Sequence, residues 1–174
     1  GTNVAIGEIV TYEIIIDLPA GTPFTNVTVT DRLDKGLAFV DCLSVILAGT
    51  NVTGTVCPPA ISSITDPGDL AANPANPGRQ VLFTIGNIAA PPAASTLVIQ
   101  YRAIVLDVLE NQQGGTLNNS VTWAWTGGSA STSAPNVTIV EPDLDIDKSA
   151  APISVAAGTP ILFTLNITHT VPSA

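Results

Sequence analysis

The 174-residue chain is long enough for a domain with a hydrophobic core, and 45% of its residues are hydrophobic. Only 11% of the residues are charged, the net charge is −9, and Lys and Arg together number five. This composition excludes nucleic acid and anionic membrane surfaces as partners, because both require clustered cations. No apolar run approaches the ~18 residues that a membrane-spanning helix needs, so we expect no membrane span.

The first part of the chain has a hydrophobic period of two, which is typical of half-buried β-strands. Along residues 10–18 the apolar face contains Val10, Tyr12, Ile14, Ile16 and Leu18. Pro19-Ala20-Gly21 ends this strand, and a second alternation follows at residues 26–30.

The two cysteines, Cys42 and Cys57, flank a turn-forming segment at Gly49 to Gly54. This arrangement favours a disulfide that closes a hairpin, with two buried free thiols as the alternative. A disulfide closing about 15 residues stabilises a fold by about 3 kcal/mol and indicates an oxidising compartment. A zinc site at the cysteines alone is disfavoured, because zinc normally takes four ligands.

Residues 58–79 are rich in Pro, Ala, Asn and Asp and predict a long surface loop, which is either a contact element or a decorative insertion. Further strands are predicted where Val, Ile, Thr and aromatic residues lie between turn residues, at 36–47, 80–86, 96–107, 116–126 and 135–141. No stretch has a convincing helical period. The pattern predicts an all-β protein, an antiparallel β-sandwich rather than a barrel.

The candidates for chemistry are few. Trp123 and Trp125 lie two residues apart on one strand face, which fits a core better than a sugar-binding platform. Gly127-Gly128-Ser129 lacks the spacing of a nucleophile elbow and is predicted to be a turn. His169 is the only imidazole, and it falls in the incomplete second copy of the repeat, so we expect no triad or metal cluster to form around it within one domain. We therefore expect no catalytic residue, no enzymatic activity and no cofactor.

An internal echo indicates a repeat. Val155-Ala156-Ala157-Gly158 matches Val4-Ala5-Ile6-Gly7 at an offset of 151 residues (155 − 4). The strand after each segment keeps the same face pattern, with Tyr12, Ile14 and Ile16 in the first copy and Phe163, Leu165 and Ile167 in the second. We predict one complete domain at residues 1–141, and the linker and opening strands of the next repeat at residues 142–174, with Glu141-Pro142 at the boundary.

The segment after this boundary is predicted to be an assembly segment, formed by Asp143, Leu144, Asp145, Ile146, Asp147 and Lys148. Asp143, Asp145 and Asp147 share one strand face. A calcium ion could bind there if oxygens of a neighbouring domain converged, but a solvated polar face is the favoured interpretation. Lys148 is also a candidate for a Lys–Asn isopeptide crosslink with an Asn of the following copy, as known in some surface adhesins.

Five Asn-X-Ser/Thr sequons are glycosylation candidates, at Asn26, Asn51, Asn118, Asn136 and Asn166. All except Asn51 are predicted to lie in strands, on the face opposite the apolar residues, where the side chain is free to carry sugar. The alternative is that polar strand faces rich in Asn and Thr produce sequons by accident.

Four segments resemble a known repeat family. Gly7 to Ile14 resembles its opening strand, Asn26 to Val40 its central motif, Leu117 to Thr122 its closing motif and Glu141 to Ser149 its junction into the next copy. The family is the tandem surface repeat catalogued as domain of unknown function eleven, common in large bacterial and archaeal secreted proteins. The resemblance covers most of the chain except residues 58–79 and 88–95. It implies an immunoglobulin-like sandwich in a tandem array and no activity, since the family has no established catalytic residues.

These observations predict an extracellular structural subunit, the repeat of a cell-surface filament, stalk or layer that polymerises head to tail with other copies of itself. The alternative is an adhesin-type module that binds a carbohydrate or a surface. Glycans are the other expected attachment.

The repeat offset also predicts how copies associate. Gly1 matches Pro152, so the first domain lacks a counterpart of Pro142 to Ala151, and one sheet edge is left open. A covalent tandem array or donation of a strand to the next subunit would fill this edge. The duplication favours the array, because residues 152–174 and 1–23 cannot occupy one place in a single sandwich. In both arrangements residues 142–174 engage a neighbouring copy.

Overall fold

The computed structural model describes residues 2–62, 79–109, 111–141 and 144–169. The chain divides into two compact units, Gly1–Val140 and Glu141–Ala174. Nearly all of the described secondary structure is β-strand, so the predicted all-β fold is confirmed.

In the first unit a single four-residue helix, α1 (Thr53–Val56), interrupts the described strands. In chain order the strands are β1 (Thr2–Val4), β2 (Ile9–Leu18), β3 (Phe24–Leu33), β4 (Leu37–Leu47), β5 (Thr50–Asn51), β6 (Ala60–Ser62), β7 (Gln80–Ile88), β8 (Ser95–Val105), β9 (Thr116–Leu117), β10 (Asn119–Trp125), β11 (Gly128–Ser133) and β12 (Val137–Ile139).

Three sheets build the described part of this unit. The five-stranded sheet has the order β11-β10-β3-β7-β6, the four-stranded sheet β2-β8-β4-β5, and a small sheet β1-β12-β9. The described pairings are antiparallel except that of β1 with β12, which is parallel and places Thr2 opposite Val137 and Val4 opposite Ile139.

Strand alternation forms a core that both large sheets share. Along β2 the residues Tyr12, Ile14 and Leu18 are buried, while the residues between them are exposed or half-buried. Phe83 from β7 and Tyr101 from β8 lie with them in the core, each fully buried. Because alternate side chains point to opposite faces, each large sheet contributes one apolar face to the sandwich.

Four strands and the helix depart from the sequence prediction: β1, β5, β6, β11 and α1. Ala60–Ser62 form β6, which pairs with β7, so the predicted loop at 58–79 is wrong over these residues. Residues 63–78 lie outside the described ranges. The helix α1, a single turn, was too short to leave a period in the sequence.

The predicted turn Gly127-Gly128-Ser129 is also partly wrong. The turn is Thr126-Gly127, and Gly128 already pairs with Trp125 as the first residue of β11. A Cβ atom on Gly128 would lie 2.7 Å from Trp125 Cζ2, so only glycine lets the indole pack there. All six residues of β11 are exposed, and all are Gly, Ala, Ser or Thr. The strand therefore lacks the apolar alternation that identifies a strand in sequence.

The second unit contains one described hairpin, β13 (Leu144–Ala151) and β14 (Leu162–His169), with Lys148 opposite Leu165. The turn before β14 has the same conformation as the turn before β2. Gly158 and Gly7 have φ of 87° and 85°, respectively. The Thr159 N–H donates to Ala156 O at 3.2 Å, as the Glu8 N–H donates to Ala5 O at 3.1 Å. The matching positions are again 151 residues apart.

Candidate functional site

One side of the sandwich in the first unit contains a cleft between two strand edges. β2 is the edge of the four-stranded sheet and β11 is the edge of the five-stranded sheet. The edge cleft, as we call it, has a polar end of about 190 Å³ lined by Tyr12, Asp31 and Asn119. An adjoining apolar end of about 270 Å³ is lined by Ile14, Ile16, Val121 and Trp123. Residues of β11 lie along both ends.

The polar end is built by four strands that carry polar groups on their inward faces. Asp31 on β3, Tyr101 on β8 and Asn119 on β10 are 1%, 0% and 6% exposed. Asn119 Nδ2 donates to Tyr101 OH at 3.0 Å and to Asp31 Oδ2 at 3.5 Å. Tyr12 on β2 stacks on Tyr101 with ring centroids 5.5 Å apart. The sheets therefore bring residues distant in sequence into one buried polar cluster.

Several polar atoms of this cluster have no hydrogen-bond partner. Among the described residues, Asp31 Oδ1, Asn119 Oδ1 and Tyr12 OH are buried and have no hydrogen-bond partner. A buried polar atom without a partner costs about 1–3 kcal/mol, and native proteins contain few of them. Two acceptor oxygens and one hydroxyl, which can donate or accept, therefore lie without partners at one end of the cleft.

Burial also changes the acidity of the cluster. Removal from water raises the pKa of Asp31 to about 7, and the hydrogen bonds from Tyr101 and Asn119 only partly oppose this effect. Burial raises the pKa of Tyr12 to about 12, and the charges of Asp31 and Asp34 add to that rise. Burial also raises the pKa of Tyr101, and the charge of Asp31 and its hydrogen bond with Tyr101 add to that rise. The two phenols therefore stay protonated near neutral pH, and the carboxyl of Asp31 is the group that titrates.

The sequence interpretation missed this cluster, although each strand gave a signal. Asp31 lies between Val29 and Leu33 on the inward face of β3, and Asn119 has the same parity as Val121 on β10. A charged or amide side chain in an otherwise apolar alternation is the recognisable feature. It does not show which strands lie together.

The predicted disulfide is present. Cys42 on β4 is bonded to Cys57 just after α1, with Cα atoms 6.1 Å apart. The bond ties β4, β5 and the helix together at the margin of the four-stranded sheet.

The assembly segment lies in β13 where it is described. Asp143 lies outside the described residues, and of Leu144 only the backbone is described; Asp145, Ile146, Asp147 and Lys148 are exposed. Cross-strand pairing places Ile146, Lys148 and Ala150 on the same face of the hairpin as Ile167, Leu165 and Phe163. The ammonium of Lys148 lies 4.9 Å from the centroid of the Phe163 ring. This face, which we call the hairpin face, exposes 56–62% of Ile146, Phe163, Leu165 and Ile167.

No group of three or more His, Cys, Asp or Glu residues in the described ranges could hold a metal ion. Asp145 and Asp147 project from one face of β13, and the third calcium candidate, Asp143, is not described. The side chain of His169 is likewise outside the description. None of the helices within the described ranges has the length and hydrophobicity to cross a membrane.

The five sequon asparagines are all exposed, but their predicted placement is partly wrong. Asn51 lies in β5 and not in a turn, whereas Asn118 and Asn136 lie just outside strands. Asn26 and Asn166 lie in β3 and β14 as predicted. Two of the side-chain amides are engaged, since Asn26 Nδ2 donates to Thr126 Oγ1 at 2.9 Å and Asn118 Nδ2 donates to Asp34 Oδ2 at 3.3 Å.

The two tryptophans belong to the packing of the first unit. Trp123 is 8% exposed, and Trp125 packs against the core from a half-buried position. Phe24 makes edge-to-face contacts with both, at centroid distances of 5.1 and 5.7 Å. The indoles therefore do not present a flat platform for a sugar ring.

Comparison with known proteins identifies the fold. Neither a known protein-family profile nor a curated protein matches the chain. Among solved structures, the pilus backbone protein RrgB of Streptococcus pneumoniae is 21% identical, with a TM-score of 0.52 over 71% of this chain and 26% of its own. Domains D2 and D3 of the major pilin SpaD of Corynebacterium diphtheriae are 16% identical, with a TM-score of 0.51 over 88% of this chain and 53% of theirs. The major pilin BcpA of Bacillus cereus is 14% identical, with a TM-score of 0.51 over 98% and 53%.

These likenesses show the fold. The immunoglobulin-like β-sandwich predicted from the sequence is confirmed. The chain spans from about a quarter to about half the length of these three pilin structures.

Proposed function

We propose that this chain is a structural subunit of an extracellular cell-surface filament, stalk or layer, that it has no enzymatic activity, and that its copies associate head to tail. The observation that carries the proposal is the hairpin face. An isolated two-stranded hairpin is at best marginally stable in water, and one that exposes four large apolar side chains needs a covering surface.

The repeat relation supports a covering surface on another copy. β14 matches β2 at an offset of 151 residues, and in the first unit the β2 side chains equivalent to the hairpin face are core residues, with Tyr12 and Ile14 buried. The hairpin therefore carries a pattern that this fold buries inside a sandwich. An interaction of one end of a chain with the other end of the next gives an open linear assembly.

The pilin-like fold and the resemblance to the tandem surface repeat family support the same role, and we propose membership of that family on the four quoted segments. An extracellular location fits the disulfide between Cys42 and Cys57, since such bonds persist in oxidising compartments. The burial of Trp123 speaks against the adhesin alternative in the form that uses the Trp123 and Trp125 pair to bind a sugar.

The test is the association state of the purified chain of residues 1–174. Sedimentation velocity across a concentration series should show a ladder of species, and electron microscopy should show linear particles whose width is that of one sandwich. A chain that stays monomeric up to millimolar concentration would contradict the proposal, and so would closed particles of fixed size. Binding of monomers to an immobilised glycan array without self-association would instead establish the adhesin alternative.

A further inference from the structure

Most of the exposed apolar side chains of the first unit lie on one sheet. Among the described residues of this unit six large apolar side chains are exposed, and four of them belong to β2 and β4 of the four-stranded sheet: Ile9, Ile15, Val40 and Leu43. The other two are Ile61 on β6 and Leu109 after β8. A concentration of exposed apolar side chains on one surface indicates an interaction site. We call the side of the four-stranded sheet that points away from the core the outer sheet face.

Two apolar rows cross the outer sheet face. Tyr12 and Ile14 point into the core, so the odd-numbered residues of β2 point outward. Residues directly opposite each other in paired strands share one face. Each row therefore takes one side chain from each of β2, β8 and β4: Ile9, Ile104 and Ala38 form the first, and Ile15, Val98 and Ile46 the second.

Two polar rows lie between the apolar ones, formed by Thr11, Arg102 and Asp41 and by Glu13, Gln100 and Ser44. The Arg102 guanidinium donates to both carboxylate oxygens of Asp41, with Nε 2.7 Å from Oδ1. Gln100 Nε2 donates to Glu13 Oε2 at 2.7 Å, and Ser44 Oγ donates to Gln100 Oε1 at 3.2 Å. The polar side chains of the outer sheet face are thus held in place by one another.

The charges of this face suit a second copy of the chain. The net charge of −9 makes two copies repel each other over much of their surface. On the outer sheet face this repulsion is reduced, because Arg102, the only Lys or Arg of the four-stranded sheet, pairs with Asp41. Arg102 also lies only one row from Glu13, so in a facing copy it can balance that carboxylate too.

The order of the four rows is the same from either end: apolar, polar, polar, apolar. A two-fold axis that runs along the rows, midway between the two polar ones, therefore places each apolar row of one copy over an apolar row of the other. Ile9 of one copy then lies over Ile15 of the other, and the small Ala38 lies over the larger Ile46.

The same axis places hydrogen-bond donors over acceptors in the polar rows. The facing pairs, one on each strand, are Thr11 over Glu13, Arg102 over Gln100 and Ser44 over Asp41. A two-fold axis along the strands would instead place Arg102 over Arg102, and like charges that face each other in an interface are costly. Charge therefore selects the axis along the rows.

We propose that the outer sheet face of one copy binds the same face of a second copy about this two-fold axis, with the strands of the two sheets aligned. The contact is side by side, so it goes beyond the proposed head-to-tail association and does not depend on it. Four rows about 6.8 Å apart and three strands about 4.8 Å apart cover about 400 Å² on each copy. This is about half the area that each partner of a standard stable interface buries, so we expect a weak contact.

The first experiment follows the chemical shifts of the full chain by nuclear magnetic resonance as its concentration is raised into the millimolar range. Outward residues of β2, β8 and β4 should shift together, as in a monomer–dimer equilibrium. The chain should come from a host that adds no N-linked sugar, since Asn51 lies opposite Ile46 at the margin of the face. Absence of these shifts at millimolar concentration would overturn the proposal.

A matched pair of variants tests the apolar rows. Ile15→Asp should raise the dissociation constant about tenfold or more, because the two-fold axis repeats the substitution and the added charge lies against an apolar row. Ile61→Asp places the same charge at another exposed isoleucine, outside the face, and should leave the dissociation constant unchanged. Equal weakening by both variants would argue against the assignment.

Cross-linking determines the arrangement and keeps both apolar rows intact. A short bismaleimide reacts with the free thiols of Thr11→Cys, Glu13→Cys and Ser44→Cys chains but not with the disulfide between Cys42 and Cys57. Glu13→Cys should cross-link between copies to Thr11→Cys and not to Ser44→Cys. The reverse preference is expected for the axis along the strands and would overturn the proposed one.

The outcomes separate this contact from the head-to-tail function. If concentration-dependent shifts are confined to other surfaces and longer species form, the head-to-tail function stands and the side-by-side contact fails. If dimers form through the outer sheet face and no longer species is seen, the side-by-side contact stands and the head-to-tail function fails.

Discussion

Substituting Asp31 by Asn should change how the stability of the first unit depends on pH. Burial raises the pKa of Asp31 from 3.8 to about 7. Between these two values the folded chain keeps a proton that the unfolded chain releases, so the free energy of unfolding falls as pH rises. A difference of about 3 pH units corresponds to about 4 kcal/mol, lost between pH 4 and pH 7 and constant above it.

The amide of the Asp31→Asn variant cannot ionise, so the variant lacks this loss. We expect it to match the unsubstituted chain at pH 4 and to be more stable by up to about 4 kcal/mol at pH 8. Other carboxyls titrate equally in both proteins and cancel in the difference. Asp41 is one of them, since the hydrogen bond from Arg102 lowers its pKa.

Urea unfolding at pH 4, 5, 6, 7 and 8, followed by the fluorescence of Trp123 and Trp125, measures this difference for the first unit. The protein should be dilute enough to remain monomeric, so that the measurement reports the unfolding of single chains. A difference between the two proteins that does not grow from pH 4 to pH 7 would refute the assignment of a buried, neutral Asp31.

Three further changes test the fold and its modification. Gly36→Ala should lower the free energy of unfolding by about 3 kcal/mol in urea titrations, because the added Cβ would overlap Asn111 Oδ1 and lie 2.6 Å from Leu117 Cδ2. The control is Gly54→Ala, whose Cβ meets no atom within 4 Å, and it should change the free energy of unfolding little. Replacing Cys42 and Cys57 by Ser should lower the free energy of unfolding by about 3 kcal/mol, and reduction of the unsubstituted chain should cause the same loss. An unchanged urea midpoint would argue against the disulfide. Proteolytic peptides that contain the five sequons, released from material of the natural source, should be heavier than their sequence masses if any sequon carries sugar, and bare masses for all five would exclude glycosylation.

The sequence predicted the parts of the fold that depend on alternation. β2 lies almost as expected because Tyr12, Ile14 and Leu18 repeat every second residue against exposed neighbours. β11 has no such alternation, since all six of its residues are exposed and none is large, and its existence follows only from pairing with β10. Local pattern identifies a strand that buries one face, and it does not identify an edge strand that buries neither.

The candidate site was harder to predict because it depends on strand order. Asp31, Tyr101 and Asn119 lie on three strands far apart in sequence, and only the sheet topology makes them neighbours. In the closing motif the sequence analysis selected Asn118 as a sequon, whereas the buried residue is the next one, Asn119. Neighbouring residues of an extended chain point to opposite faces, so Asn118 is a surface amide and Asn119 is a core amide.

The parallel pairing of β1 with β12 determines how the first unit would resist a pulling force. The two strands are the first and last of this unit, and Thr2 lies opposite Val137 while Val4 lies opposite Ile139. Tension applied at the two ends pulls β1 and β12 in opposite directions along their shared axis. The hydrogen bonds between them, together with that from Val140 N–H to Val4 O, are then loaded in shear and must break together, whereas an antiparallel pair pulled from one end would unzip one bond at a time.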